Sequence, residues 1–255
     1  MANWFDRYSR TQVHDWTVRQ LNLQAYQHVL EVGFGEGQLL AVVARTLKVG
    51  FLAGIESSIP FYRRAYRRNK AFIDRQLIQL HLGELHELPY PAHYFHTIYT
   101  SGNHFPRRDG GMAGKDGDMA GKNGDTAGKD GGAARKDGGA ARKDGGAARR
   151  DAVTECLRLA SLLRVGGRLV WLSQAGTYRK EEDLRTEAAR LQAACLTSGL
   201  TDIRTEYQDF PSGPGMAVTG FKPDFWPDPE PYRTINNRLL NSKPHFISNI
   251  ARMQT

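Results

Sequence analysis

The sequence predicts an α/β protein, a mostly parallel sheet with helices on both faces. Three observations predict it. The apolar run Val29-Leu30-Glu31-Val32 breaks into Gly33-Phe34-Gly35-Glu36-Gly37, so glycines alternate where a strand should end. A second apolar run ends in an acid, Glu56. Strand-like and helix-like segments then alternate along most of the chain.

Each element has a local reason. A helical period over Thr11 to Leu21 precedes the first strand, and Gln38-Leu39-Leu40-Ala41-Val42-Val43 opens a helix after the glycines. Strand two is Phe51 to Glu56. Ser58 suits a helix N-cap and Pro60 its first turn, so a third helix follows. Leu77 to His81 and Thr97 to Ser101 read as strands three and four. A helix from Ala152 to Leu163 stops at Gly166-Gly167, and Arg168 to Leu172 reads as strand five. A charged helix from Glu181 to Ser198 ends at Gly199. The last two strands, near Asp202 to Tyr207 and Met216 to Phe221, read as an antiparallel pair. Pro211, Gly213, Pro214 and Gly215 supply the turn between them.

The glycine loop carries the chemistry. Glycines take positive φ and let a ligand approach the main chain. The helix that follows points unpaired N–H groups and a partial positive charge at the same spot. An acid at the tip of the next strand can accept both hydroxyls of a ribose. Two nucleoside cofactors fit this arrangement. The dinucleotide fingerprint is G-x-G-x-x-G, whereas the spacing here is G-x-G-x-G, with Gln38 in the place of the third dinucleotide glycine. Glu31, two residues before the first glycine, would repel a pyrophosphate and suits a cationic amino-acid group. These details select S-adenosylmethionine over NAD. The bland alternative is a glycine turn in an α/β domain that binds nothing.

Composition bounds the rest. At 255 residues and 40% hydrophobic content the chain can bury one sizeable core, and it has no run of 18 apolar residues. Its start, Met1-Ala2-Asn3-Trp4-Phe5-Asp6-Arg7, lacks a charged-then-apolar leader pattern. Cys156 and Cys195 lie in helical stretches without metal spacing and read as ordinary thiols of a reducing compartment. His93 and His96, three apart, have no second cluster to complete a metal site. A cytoplasmic protein is the expectation, with no metal and no membrane span. The net charge of +8 raises a nucleic-acid partner. Arg63-Arg64 and Arg67-Arg68, however, read more simply as the solvated face of one helix.

From Asp109 to Arg150 the chain becomes six heptads: DGGMAGK, DGDMAGK, NGDTAGK, DGGAARK, DGGAARK and DGGAARR. They have no apolar a/d pair, so the period is not a coiled coil. With little to bury, ordering them would cost backbone entropy for small return. Nine Lys/Arg against seven Asp leave the segment almost neutral. Arg107-Arg108-Asp109 recurs as Arg149-Arg150-Asp151, which reads as a tandem expansion inside one loop.

In this order the segments resemble a class I S-adenosylmethionine-dependent methyltransferase, in particular the type 11 group of ubiquinone/menaquinone C-methyltransferases. VLEVGFGEG (29–37), GIESS (54–58), GELHELPYPAHYFHTIYTSG (83–102), LLRVGGRLVWL (162–172) and SGLTDIRTE (198–206) carry the likeness. The resemblance implies a Rossmann-like seven-stranded sheet with strand seven antiparallel. It implies a domain over residues 1–222, with 109–150 as a loop insert and 223–255 as an extension. It assigns the methionine end of S-adenosyl-L-methionine to Glu31, Gly33, Gly35 and Gly37. The ribose falls to Glu56 with Ser57 beside the adenine, the adenine to Glu84 and Leu85, and the methyl-transfer channel to Thr100 and Ser101. The expected acceptor is a small molecule, with RNA or protein methylation, or a non-catalytic binding protein, as alternatives.

Two departures stand out. His96 replaces the aspartate of the family's F-D-x-V/I segment, which helps to fix the loop near the cofactor, so local hydrogen bonding should differ there. The heptads follow strand four, beside the expected acceptor mouth, where a flexible arm could act as a lid or simply be tolerated. Candidates for a general base are His104, Tyr99, His14 and Tyr178, His104 foremost because it follows strand four. Trp4, Phe5, Tyr8 and Trp16 could form an apolar wall over the cofactor or pack as an ordinary helix. The aromatic start of the tail, Asp224-Phe225-Trp226-Pro227, could pack on the domain or cover a partner.

Overall fold

The computed structural model describes residues 4–101, 152–173 and 181–226, with side chains described from residue 12. The heptads, His104, Tyr178, the side chains of Trp4, Phe5 and Tyr8, and the tail beyond Trp226 lie outside the described residues.

The elements run α1 (Trp4–Leu21), β1 (His28–Val32), α2 (Gln38–Thr46), β2 (Phe51–Glu56), α3 (Ile59–Asp74), β3 (Ile78–Leu82), a 3-10 turn (Leu85–Glu87), β4 (Phe95–Ser101), α4 (Ala152–Leu162), β5 (Leu163–Ser173), α5 (Glu181–Thr197), β6 (Thr201–Phe210) and β7 (Gly213–Phe221). They form one seven-stranded sheet in the order β3-β2-β1-β4-β5-β7-β6. The pairs β1–β2, β2–β3, β1–β4 and β4–β5 are parallel, and β7 lies antiparallel between β5 and β6. From β1 the chain winds toward β3 in one direction and from β4 toward β5 in the other. Right-handed crossovers therefore send α2 and α3 to one face and α4 to the opposite face. The reversal between β1 and β4 opens a crevice at their carboxyl ends, the place where open α/β sheets bind ligands.

The central strands are buried along most of their length because both their faces are covered. Trp16 and Leu21 of α1, Leu39, Leu40 and Val43 of α2 and Ala65 of α3 pack with Val29, Leu52, Tyr99 and Val170 of the sheet in one buried cluster. Trp16 meets Phe210 edge to face at 5.5 Å, so it belongs to helix packing rather than to a cofactor wall. On the other layer α4 packs on α5, and the free thiols of Cys156 and Cys195 face each other, both buried, at 4.0 Å.

Two boundaries differ from expectation. Gly213, Pro214 and Gly215 belong to β7 rather than to the turn, since Phe210 pairs with Gly213 and only Pro211-Ser212 connects the strands. The last described β5 pair is Ser173 with Met216, so Pro214 lies outside the described β5–β7 ladder, where its missing N–H costs no ladder bond. β5 also begins earlier: Leu163 pairs with Phe95, the register then shifts, and the regular ladder starts at Arg168.

The described start of the tail packs on the domain. The Trp226 indole N–H donates to Ser198 O at 2.8 Å and its ring lies 4.3 Å from the Lys222 Nζ. Phe225 beside it is 88% exposed. No described helix is long and apolar enough to cross a membrane, and no group of three His, Cys, Asp or Glu is placed to hold a metal among the described residues.

Candidate cofactor site

β1 ends at Val32, and the chain turns through Gly33, Gly35 and Gly37 with φ of 72°, 52° and 71°. Gly37 is the N-cap of α2 in the left-handed region. A Cβ there would lie 2.6 Å from Asn69 Nδ2 and 2.7 Å from Ala65 Cβ, so close approach as well as φ demands glycine. Phe34 fastens the loop from within. It is 4% exposed, and its ring sits where a Cβ on Gly54 would be, 2.7 Å away.

Neighbouring strands tie the loop sideways. Gly33 N–H donates to Ile55 O at 2.8 Å, and Gly83 N–H to Glu56 O at 3.0 Å. Glu56, 3% exposed at the end of β2, accepts from Gly35 N–H at 2.9 Å through Oε2 and from Ser58 N–H at 3.0 Å through Oε1. The residue expected to hold a ribose is thus also a brace for the loop. A carboxylate has about four lone-pair positions, so two accepted bonds leave capacity for two ligand hydroxyls.

Glu31 is fully buried on β1. It pairs in register with Tyr99 of β4, which places both side chains on one face of the sheet. Tyr99 Oη donates to Glu31 Oε2 at 2.8 Å and Ser101 Oγ to Oε1 at 2.9 Å. Burial pushes the Glu31 carboxyl up to about 7, against the opposing pull of these two donors, and the nearby Glu56 adds to the rise. Burial, together with Glu31, raises the Tyr99 phenol well above its ordinary value. The phenol therefore keeps its proton and donates it to the Glu31 carboxyl, which it orients.

The remaining expected residues sit along the same edge. Ser57 is exposed just after β2. Glu84 is half-buried before the 3-10 turn, its N–H donating to the Glu87 carboxylate at 2.6 Å, and Leu85 is buried in the core. Thr100 is 2% exposed and pairs with Val32 and Trp171. Glu31, Gly33, Gly35, Gly37, Glu56, Ser57, Glu84, Leu85, Thr100 and Ser101 therefore all fall at the carboxyl ends of β1 to β4 or in the segments just beyond.

His96 does not. It is the second residue of β4, and its Nδ1 accepts from His28 N–H, at the amino end of β1, at 3.1 Å. The expectation that this position acts on the glycine loop is corrected: it lies at the opposite end of the strands. Arg164 Nη1 lies 2.9 Å from Nε2, and because a neutral imidazole accepts at one nitrogen only, the tautomer decides whether His28 N–H or Arg164 is served. Burial first, then Arg164 and His28, lower the His96 pKa.

Sequence reading missed Phe34, Arg64, Arg68 and Asn69. Arg64 Nη1 reaches Glu36 Oε1 at 2.7 Å, Arg68 Nε reaches Glu36 O at 3.1 Å, and Asn69 Nδ2 reaches Gly37 O at 2.9 Å. The arginine cluster of α3 is thus only partly a solvated face. Only the spacing of Arg64, Arg68 and Asn69 on one side of a helix hints at this in the sequence.

Comparison with known proteins bears on the fold. No protein-family model matches the chain. Over 92 residues it is 28% identical to the uncharacterized methyltransferase YdaC of Bacillus subtilis (strain 168), a stretch covering 36% of this chain and 49% of that protein. The matched stretch thus spans about half the length of this curated relative. The structure is similar to a geranyl diphosphate C-methyltransferase of Streptomyces coelicolor, solved with geranyl diphosphate and S-adenosyl-L-homocysteine. The TM-score is 0.54 at 9% identity, covering 84% of this chain and 80% of that one. The chain has the class I methyltransferase fold. A tRNA (m1A58) methyltransferase of Aquifex aeolicus shares it, with a TM-score of 0.51 at 14% identity, covering 83% of this chain and 68% of that one. The methyltransferase fold alone therefore leaves the acceptor open.

Proposed function

We propose that the chain is an S-adenosyl-L-methionine-dependent methyltransferase acting on a small molecule. One observation carries the cofactor reading: two buried carboxyls, Glu31 and Glu56, flank a three-glycine loop at the switch point of the sheet. Such a site suits a ligand with a cationic group at one end and a vicinal diol at the other. A pyrophosphate would meet Glu31 across the loop and be repelled. The assigned roles follow the sequence expectation, with Glu31 toward the ammonium, Glu56 toward the ribose, Glu84 and Leu85 toward the adenine, and Thr100 and Ser101 toward the channel. The domain takes in residues 1–222, the heptads form a loop insert, 223–255 form an extension, and a cytoplasmic setting suits the thiols.

When bound, the cofactor supplies an activated methyl group on a positively charged sulfur. The sulfur would depart as a neutral thioether, so no side chain of the site would be needed as an acid toward it. What the chain contributes is alignment and exclusion of water. Tyr99 and Ser101 hold Glu31 in place, Glu56 fixes Gly35 and the diol together, and Phe34 seals the loop against Gly54.

Calorimetry with S-adenosylmethionine, S-adenosylhomocysteine and NAD tests the cofactor. Micromolar binding of the first two and none of the third is expected; failure of both to bind would sink the reading. Incubation of cell extract with methyl-labelled cofactor tests the acceptor. Label should appear in the low-molecular-weight fraction, and label in RNA or protein instead would overturn the small-molecule reading.

A further inference from the structure

One stripe of helix α3 faces the glycine loop. Arg64, Ala65, Arg68 and Asn69 lie on its loop-facing side, one turn apart in pairs. Their polar atoms go to two consecutive loop residues: Arg64 to the Glu36 carboxylate, Arg68 to the Glu36 carbonyl, Asn69 to the Gly37 carbonyl. Ala65 closes the gap where Gly37 has no side chain.

Asn69 is the informative member. It is fully buried, and its Nδ2 donates to both Gly37 O and Ala65 O at 2.9 Å, while its Oδ1 has no partner. Turning the amide over would set Oδ1 against two carbonyl oxygens, so its orientation is fixed by the acceptors around it. A buried acceptor left unsatisfied works against folding. An apolar residue of similar size would avoid that cost, so the two amide bonds are the reason for an asparagine here.

The peptide plane gives those bonds a consequence. N–H and C=O of one peptide point in opposite directions. With the Gly37 carbonyl held on α3, the Gln38 N–H of the same peptide points away from α3. It joins the unpaired N–H groups at the start of α2. Likewise the Glu36 carbonyl, held by Arg68, belongs to the peptide whose N–H, on Gly37, closes onto Phe34 O at 2.9 Å.

We propose that Arg64, Arg68 and Asn69 are positioning residues for cofactor binding: α3 sets the peptide orientations of the glycine loop from outside it. This rests on the cofactor reading above, so the test carries one readout that needs no cofactor. Amide hydrogen exchange of a peptide spanning 33–40 should speed up several-fold in Asn69→Asp and in Arg64→Gln, with peptides from β5 unchanged. Asn69→Asp keeps the shape and removes both donors. Its affinity for S-adenosylhomocysteine should fall at least about tenfold. Arg64→Gln and Glu36→Gln should each weaken binding about twofold to fivefold, as suits an exposed pair. The double variant should be no weaker than the poorer single, and all three should melt close to the wild type. If Asn69→Asp does not fold, the Arg64/Glu36 cycle still decides. Unchanged loop exchange, or additive losses in the double variant, overturns the proposal. Wild-type protein that binds no S-adenosylhomocysteine yet shows the exchange effect refutes the cofactor reading and leaves the loop mechanics standing.

Discussion

The two ends of the same sheet treat buried polarity in opposite ways. At the amino ends of the parallel strands the protein satisfies its own groups. Lys222, 1% exposed, donates to Ala160 O at 2.7 Å, lies 3.2 Å from His93 Nδ1 and carries the Trp226 ring over its charge. Tyr90 and Tyr94 stack at 5.1 Å against Phe51, the first residue of β2. At the carboxyl ends two buried carboxyls face backbone and hydroxyl donors, and among the described residues no cationic side chain donates to them. One end is finished by folding. The other, on the proposed function, is finished by a ligand, so substitutions at the two ends should separate stability from binding.

The sharpest separation is at Glu56. Glu56→Ala removes both the diol acceptor and the brace on Gly35. Affinity for S-adenosylhomocysteine should drop by about 3 kcal/mol or more, near two orders of magnitude, by titration calorimetry. A loss below tenfold would deny Glu56 its double duty.

Glu31 should show the trade-off directly. Its folded pKa is raised from 4.5 to about 7, so the folded state holds a proton that the unfolded state releases. The stabilisation is complete below pH ~4.5 and is lost as pH rises through about 7, some 3 kcal/mol in all. Ligand-free Glu31→Gln should lack this decline and melt higher than wild type at pH 8. Its cofactor affinity should fall, whereas wild-type affinity should rise with pH up to about 7 as Glu31 ionises. Parallel pH profiles of melting for the two proteins would break the assignment.

How much of this contrast is legible in the sequence follows from the range of the interactions. The glycine alternation, Glu31 before it and Glu56 after the next strand are local, and the structure brings them to one edge. The register that sets Tyr99 against Glu31 joins residues 68 apart, and pattern alone does not encode it. Asn69 reaches Gly37 across 32 residues, so an arginine-rich helix reads as solvated until its neighbour is known. Gly213 to Gly215 look like a turn because glycine and proline mark turns, yet they continue the ladder with β6 down to Phe210 opposite Gly213, a pairing that composition does not encode.

At the amino end the effects should invert. Lys222→Met removes the donor to Ala160 O and the cation under Trp226, costing about 1–3 kcal/mol of stability. S-adenosylhomocysteine affinity should stay within twofold at a temperature where the variant is folded. A binding loss larger than the fraction unfolded would mean that the two ends are coupled.

The smallest effect is expected at His96, where the family resemblance invites the largest. An aspartate there would face Arg164, now 2.9 Å from the ring, but would give up the acceptor that Nδ1 offers to His28 N–H unless a carboxylate oxygen reached it. An exposed Arg–carboxylate pair adds only about 0–1 kcal/mol, so His96→Asp should leave stability nearly unchanged. The glycine loop leaves β1 at its far end, beyond Val32, while His96 meets β1 at His28. Cofactor affinity should therefore not move. A changed affinity in His96→Asp, with melting unaffected, would show that the amino end does reach the loop through β1 and β4, and that the division between the two ends is incomplete.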